Sequence, residues 1–201
     1  SVFALLLTFE KEQNVLFTRY TMTSAHSSII PEFVEKIEIL GMTDKFTINK
    51  TEITNNVTGN RIIFKGIKTG SGNQTAALKS ISGITCFIMD EAEEMPDEAT
   101  FSKIDLSIRS KTAQNRVIIV LNPTTKEHWI YDRFFQQVGV EGGKNVTKED
   151  TTYIHTTYLD NEEHLGESFL KQMELMRTRY PEKYKHTILG GWRDKAEGVI
   201  F

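Results

Sequence analysis

Two hydrophobic periods alternate along the chain. Val15-Leu-Phe-Thr18, Arg61-Ile-Ile-Phe64, Cys86-Phe-Ile-Met89 and Arg116-Val-Ile-Ile-Val-Leu121 are short, continuous apolar runs. Such runs mark strands covered on both faces, as in a parallel sheet between helices. Ser27 or Ser28 to Leu40 changes to the helical period, with Ile30, Phe33, Val34, Ile37 and Leu40 on one face and Gly41 at its end. Thr47–Asn49 and Glu52–Thr54 read as short strands, with Asn55 to Asn60 a hairpin-like turn before the next strand. Ser1 to Glu12 is predicted helical, as is a segment from Pro96 through Phe101, Ile104, Leu106 and Ile108 that leaves Arg109 near its end. Past Leu121 the pattern gives a turn at Asn122-Pro-Thr124, a helix through His128 to Gln136, and a loop from Gly139 to Asp150. A last strand over Thr152 to Thr156 and helices over Glu162 to Arg179 and Glu182 to Leu189 follow. This alternation predicts an α/β domain with a mainly parallel sheet flanked by helices, followed by a small helical C-terminal subdomain.

Two carboxylates change the picture at the exit of one strand. The run ending at Met89 continues Asp90-Glu-Ala-Glu-Glu-Met95. At the carboxyl end of a buried parallel strand, Asp90 would reach a magnesium ion directly or through water. Glu91 could take a proton from a water aligned on a γ-phosphate. A strand closing in Asp-Glu is what a Walker B segment looks like; the plain alternative is an acidic loop after an ordinary strand. The run ending at Leu121 meets Asn122-Pro123-Thr124 at the same expected sheet edge, since ligands in open α/β sheets sit beyond the strand carboxyl ends. There Asn122 and Thr124 would sense the γ-phosphate or the attacking water, or else form a turn with Thr124 or Thr125 as a helix N-cap.

Composition narrows the reading only a little. The chain has 201 residues and a net charge of −3 at pH 7, which excludes a strongly basic nucleic-acid binder but not a local basic stripe. Its one cysteine, Cys86, lies in a predicted core strand and fits a reducing cytosol. The longest apolar stretch, Val2 to Leu7, is far too short to span a membrane, and it has no signal-peptide layout.

Several segments, in order, resemble the large terminase subunits of tailed bacteriophages and prophages, which package DNA into empty capsids. They are F-K-G-I-K-T-G-S-G-N-Q-T-A-A-L-K-S-I (64–81), F-I-M-D-E-A-E-E-M (87–95), F-S-K-I-D-L-S-I-R (101–109), V-I-I-V-L-N-P-T (117–124), H-T-T-Y-L-D-N (155–161) and L-G-G-W-R-D-K-A-E-G-V-I-F (189–201). The resemblance implies a P-loop NTPase fold of the RecA-like kind, with residues 1–157 as ATPase core and 158–201 as a hinge leading to a nuclease domain. It implies ATP and Mg2+ as cofactors, with Asp90 on the metal and Glu91 as base. Asn122 to Thr124 would couple γ-phosphate loss to motion. Double-stranded DNA would be the moved substrate, a portal protein and a small terminase subunit the partners, and a ring of subunits in the bacterial host cytoplasm the working form. Lys79, Arg19 and Arg109 are the basic candidates for reaching a nucleotide across a subunit boundary, a task that needs a solvent-facing cation.

The chain departs from the family at its front. The family's Gly-rich loop ending in Gly-Lys-Thr or Gly-Lys-Ser is not present, and Ser1 to Lys11 looks like the helix that follows it. Gly66-Ile-Lys-Thr-Gly-Ser-Gly72 lacks the spacing of that loop. The expectation is therefore an ATPase core lacking its first strand and phosphate loop. Two alternatives stand beside it: a superfamily 2 helicase, whose D-E-A-x segment Asp90 to Glu93 imitates, and a noncatalytic ATPase-like binding module.

Overall fold

The computed structural model describes residues 1–21, 25–67 and 83–194. It contains two compact units, Ser1–Leu121 and Asn122–Phe201.

Six strands form the sheet of the first unit: β1 (Asn14–Arg19), β2 (Phe46–Ile48), β3 (Glu52–Asn55), β4 (Arg61–Gly66), β5 (Ile84–Met89) and β6 (Arg116–Ile119). Their spatial order is β2-β3-β4-β1-β5-β6. Neighbours from β4 to β6 are parallel, while β2, β3 and β4 pair antiparallel. The helices are α1 (Val2–Leu7), α2 (Ile30–Ile39) and α3 (Glu98–Asp105). Because side chains alternate across a strand, Val15, Phe17, Phe64, Cys86 and Ile88 join Leu5, Phe33 and Ile37 of α1 and α2 in one buried layer. Phe87 turns to the other side and meets Phe101 of α3 with ring centroids 6.1 Å apart. All six residues of β5 are buried, as the apolar run predicts.

A polar knot ends α1 earlier than its sequence suggests. The pattern predicts a helix to Glu12, but it stops at Leu7, where the Thr8 hydroxyl turns back to the Leu5 carbonyl. Buried Asn60 then donates to the Thr8 and Glu10 carbonyls at 2.9 and 2.7 Å, and Asn55 donates to the Thr8 hydroxyl at 3.0 Å. The β3–β4 turn thus supplies the partners that carbonyls at a helix end lack. Asn60→Ala should destabilise the first unit by about 1–3 kcal/mol, because the Glu10 carbonyl loses its donor. An unchanged urea midpoint would show that water substitutes freely there. α3 also differs from expectation: it starts at Glu98, with Asp97 as its cap, and ends at Asp105. Leu106 is therefore left 74% exposed instead of in the core.

The second unit comprises α4 (Trp129–Tyr131) continuing into a π turn, the hairpin β7 (Val146–Lys148) and β8 (Thr151–Tyr153), α5 (Glu167–Arg179), and α6 (Pro181–Lys183) continuing into another π turn. Tyr131, Phe135, Tyr153 and Trp192 pack with centroids 5.2 to 5.9 Å apart. Trp192 lies so close to Gly142 that a Cβ there would come within 2.7 Å of its ring. Trp192 thus anchors the packing of this cluster. The stretch from Gly139 to Asp150, which reads as loop throughout, contains β7, whose residues are all exposed and so show no apolar alternation. Asp160 caps the turn at Tyr158–His164 through the Thr157 amide at 2.6 Å.

Candidate functional site

The carboxyl end of β5 carries the candidate site. Asp90 follows the last residue of β5, and its backbone is locked on both sides. Its amide donates to the Thr18 carbonyl of β1 at 2.9 Å, and the Val120 amide donates to the Met89 carbonyl at 2.9 Å. Two parallel neighbours therefore fix where this carboxylate leaves the sheet. The next residue breaks the strand. Glu91 sits in the left-handed region at φ 51°, ψ 46°, a conformation that costs a non-glycine residue on the order of 1–3 kcal/mol and persists where surrounding structure enforces it. The enforcement comes from the Ala92 amide, which donates to the Val120 carbonyl at 3.0 Å, and from the 3-10 turn Ala92–Glu94. The chain reverses within one residue, and the adjacent Asp90 and Glu91 side chains come to lie on one side together.

Arg19 joins them. It is the last residue of β1, beside β5 in the sheet, and its Nε donates to Asp90 Oδ2 at 2.7 Å. Its Nη2 lies 3.2 Å from Glu91 Oε1, and its Nη1 donates to the Ser28 hydroxyl at 3.0 Å. The guanidinium is mostly covered, with its side chain 15% exposed. Burial raises the Glu91 carboxyl above its ordinary value; Arg19 opposes this, while Glu94, Asp90 and Glu93 add to it. A carboxylate that binds its proton more readily is a stronger base, which suits proton abstraction from water.

Of the other basic candidates, Arg109 lies beyond the end of α3, is exposed, and has no ion-pair partner among the described residues. Lys79 lies outside the described residues, as does most of the glycine-rich segment from Gly66 to Gly72. Asn122 and Thr124 belong to the second unit. The Thr124 carbonyl accepts from the Arg193 amide at 3.0 Å. Neither Thr124 nor Thr125 caps the following helix; His128 does, its ring accepting from the Ile130 amide. Sequence reading missed that cap because histidine is not among the usual N-cap residues.

Next to Asp90 the first unit has a cleft of about 270 Å3, whose walls are mostly apolar, including Phe3, Phe17, Ile29, Ile88, Ile118 and Val120. Among the described residues β6 pairs only with β5 and forms one edge of the sheet, and Phe3 and Leu6 of α1 remain about half exposed. An edge rich in β-branched residues beside uncovered apolar side chains has the form of a surface that takes another strand. The donor chemistry at Asp90 and Glu91 fits magnesium, a hard cation that is commonly held by one or two carboxylates with water and substrate phosphate completing its shell. No group of three or more His, Cys, Asp or Glu side chains that could hold a metal ion occurs among the described residues.

The geometry agrees with comparisons to known proteins. A family model described as phage terminase large subunit matches residues 1–191. The PBSX phage terminase large subunit of Bacillus subtilis (strain 168) is 26% identical over 187 residues, covering 88% of this chain and 42% of that protein. The chain thus spans less than half the length of that curated relative. The large terminase of a thermophilic bacteriophage, in complex with ADP, superposes with a TM-score of 0.66 at 17% identity, over 93% of this chain and 42% of that one. The ATPase domain of the Thermus phage P74-26 large terminase does so with a TM-score of 0.60 at 14% identity, over 94% and 80%. These likenesses show the P-loop ATPase fold, and with the match across nearly its whole length the chain belongs to the phage terminase large subunit family.

Proposed function

We propose that this chain is the ATPase region of a viral DNA-packaging motor, hydrolysing ATP to move double-stranded DNA into a capsid. The observation that carries the reading is the adjacent Asp90–Glu91 pair, set on one side of the sheet edge by the left-handed turn at Glu91. In this reading Asp90 would hold magnesium and Glu91 would take the proton from the attacking water. Magnesium, when bound, neutralises phosphate charge. Asn122 to Thr124, a few residues after β6, would couple loss of the γ-phosphate to motion. Residues 1–157 form the ATPase core and 158–201 the hinge.

A further strand docked on the open edge of β6, covering Phe3 and Leu6, would bring the phosphate loop over the cleft beside Asp90. Arg109 is the candidate to act on a neighbouring subunit's nucleotide, because it alone of the described candidates is exposed and without an ion-pair partner among the described residues. A ring of subunits on a portal protein, with a small terminase subunit and duplex DNA, in the host cytoplasm, completes the proposal. Among the described residues no helix is long and apolar enough to cross a membrane.

The test is magnesium-dependent ATP binding by the full-length gene product and its Asp90→Asn variant. We expect Asp90→Asn to weaken ATP binding at least tenfold in magnesium and little in EDTA. Equal affinity for both proteins in magnesium would remove Asp90 from the site.

A further inference from the structure

Arg19 has a place that no account of hydrolysis by Asp90 and Glu91 requires. One guanidinium spans both carboxylates, at 2.7 Å from Asp90 and 3.2 Å from Glu91, and its third nitrogen is held by the Ser28 hydroxyl in the turn that leads into α2. Two adjacent carboxylates at a sheet edge repel each other, and a cation between them lowers that cost. Arginine suits this place because its planar fork has donors for two acceptors at once and stays charged at any working pH. Its position is not accidental to the fold: β1 and β5 are parallel neighbours with Thr18 opposite Met89. The residue after each pair therefore stands at the same edge, Arg19 beside Asp90.

That placement has a consequence for metal. A divalent cation on Asp90 would have to share the carboxylate with a positive charge already donating to Oδ2. The two like charges cannot both be held closely there at low cost. We propose that Arg19 is a cis-acting positioning residue: a resident counter-ion that competes with the divalent cation for Asp90 and, until that cation binds, holds the Glu91 side chain against its own subunit's sheet. The proposal rests on the reading of Asp90 as the metal ligand and adds to it how the site is kept when no metal is bound. Since Arg19 is tied to Ser28, its release from Asp90 also loosens the link between the sheet edge and the turn before α2.

The experiment uses the full-length protein without nucleotide. Mn2+ binding is counted by electron paramagnetic resonance, and the Asp90-dependent part is taken as the difference from Asp90→Asn. We expect Arg19→Gln to tighten that part at least tenfold, with Arg19→Lys between it and the unaltered protein. Lysine keeps the charge but cannot bridge two carboxylates through a fork. A second measurement needs no variant of Arg19: in unaltered protein the Arg19 Nε resonance should shift on Mg2+ titration and saturate at the affinity of the Asp90 site. If Arg19→Gln leaves the Asp90-dependent affinity unchanged, or the Nε resonance does not respond to Mg2+ while that site fills, Arg19 is not the competitor, and the metal-site reading survives. If Asp90→Asn removes no Mn2+ binding at all, the reading of Asp90 as metal ligand fails, and the competition falls with it.

Discussion

Glu91→Gln should lower ATP turnover by the full-length protein by roughly a hundred- to ten-thousandfold, the range for loss of a general base, while nucleotide affinity stays within a few-fold. The amide keeps the size and the hydrogen-bonding edge of the carboxylate but cannot accept a proton from water. The left-handed backbone at residue 91 is set by Ala92, Val120 and the 3-10 turn rather than by the side chain, so the substitution leaves the loop in place. Because binding and chemistry separate, the loss should fall on kcat and not on the dissociation constant. The same variant tests the neighbour-acting cation: mixing Glu91→Gln subunits with Arg109→Ala subunits should recover part of the activity, since an intact half-site comes from each. Full turnover by Glu91→Gln alone would take it out of the mechanism, and rings that recover nothing on mixing would leave Arg109 without that role.

Phe64→Ala should cost about 3–5 kcal/mol, the usual range for a buried phenylalanine. That is a large share of the roughly 5–15 kcal/mol by which domains are stable. Phe64 is fully buried in β4 and packs on Phe33 of α2 and Phe17 of β1, with centroids 5.3 and 5.8 Å away. No neighbouring side chain can collapse into that volume without leaving its own contacts, because the layer is closed by the sheet on one side and α2 on the other. Chemical denaturation followed by circular dichroism would give the shift directly. A change below about 1 kcal/mol would mean that the layer is not close-packed. Loss of this packing would also slacken the β1–β4 pairing, which runs in register to Arg19.

The parts of the fold that were legible in the sequence are those whose side chains all meet the same environment. β5 and β1 could be read because every position in their middle is buried, and the end of α2 because Gly41 takes a positive φ of 64° there. β7 was not legible because all its residues are in water, so that no period is imposed on it, whereas β8, with Tyr153 buried, lies within a residue of the start of the strand expected over Thr152 to Thr156. The early stop of α1 escaped for another reason: the groups that end it, Asn55 and Asn60, are far away in sequence. At the site the two carboxylates announce themselves by adjacency. Arg19 is readable as a basic residue at a strand exit, but its partner, Asp90, lies 71 positions on. Only the parallel register of β1 and β5 reveals that the two are neighbours, and no local pattern encodes it.

The first and last described segments of the second unit are joined. Arg193 bridges to Thr125, its amide and carbonyl bonded to the Thr124 carbonyl and the Lys126 amide at 3.0 and 2.8 Å, and Lys126 pairs with Asp194 at 2.8 Å. These bonds close the unit like the neck of a purse. A pull on Arg193 or Asp194 is therefore borne first at Thr124–Lys126, a short step from the Asn122–Pro123 turn. It need not be relayed through α5 or the aromatic cluster. Arg193 is in effect a short lever on that turn.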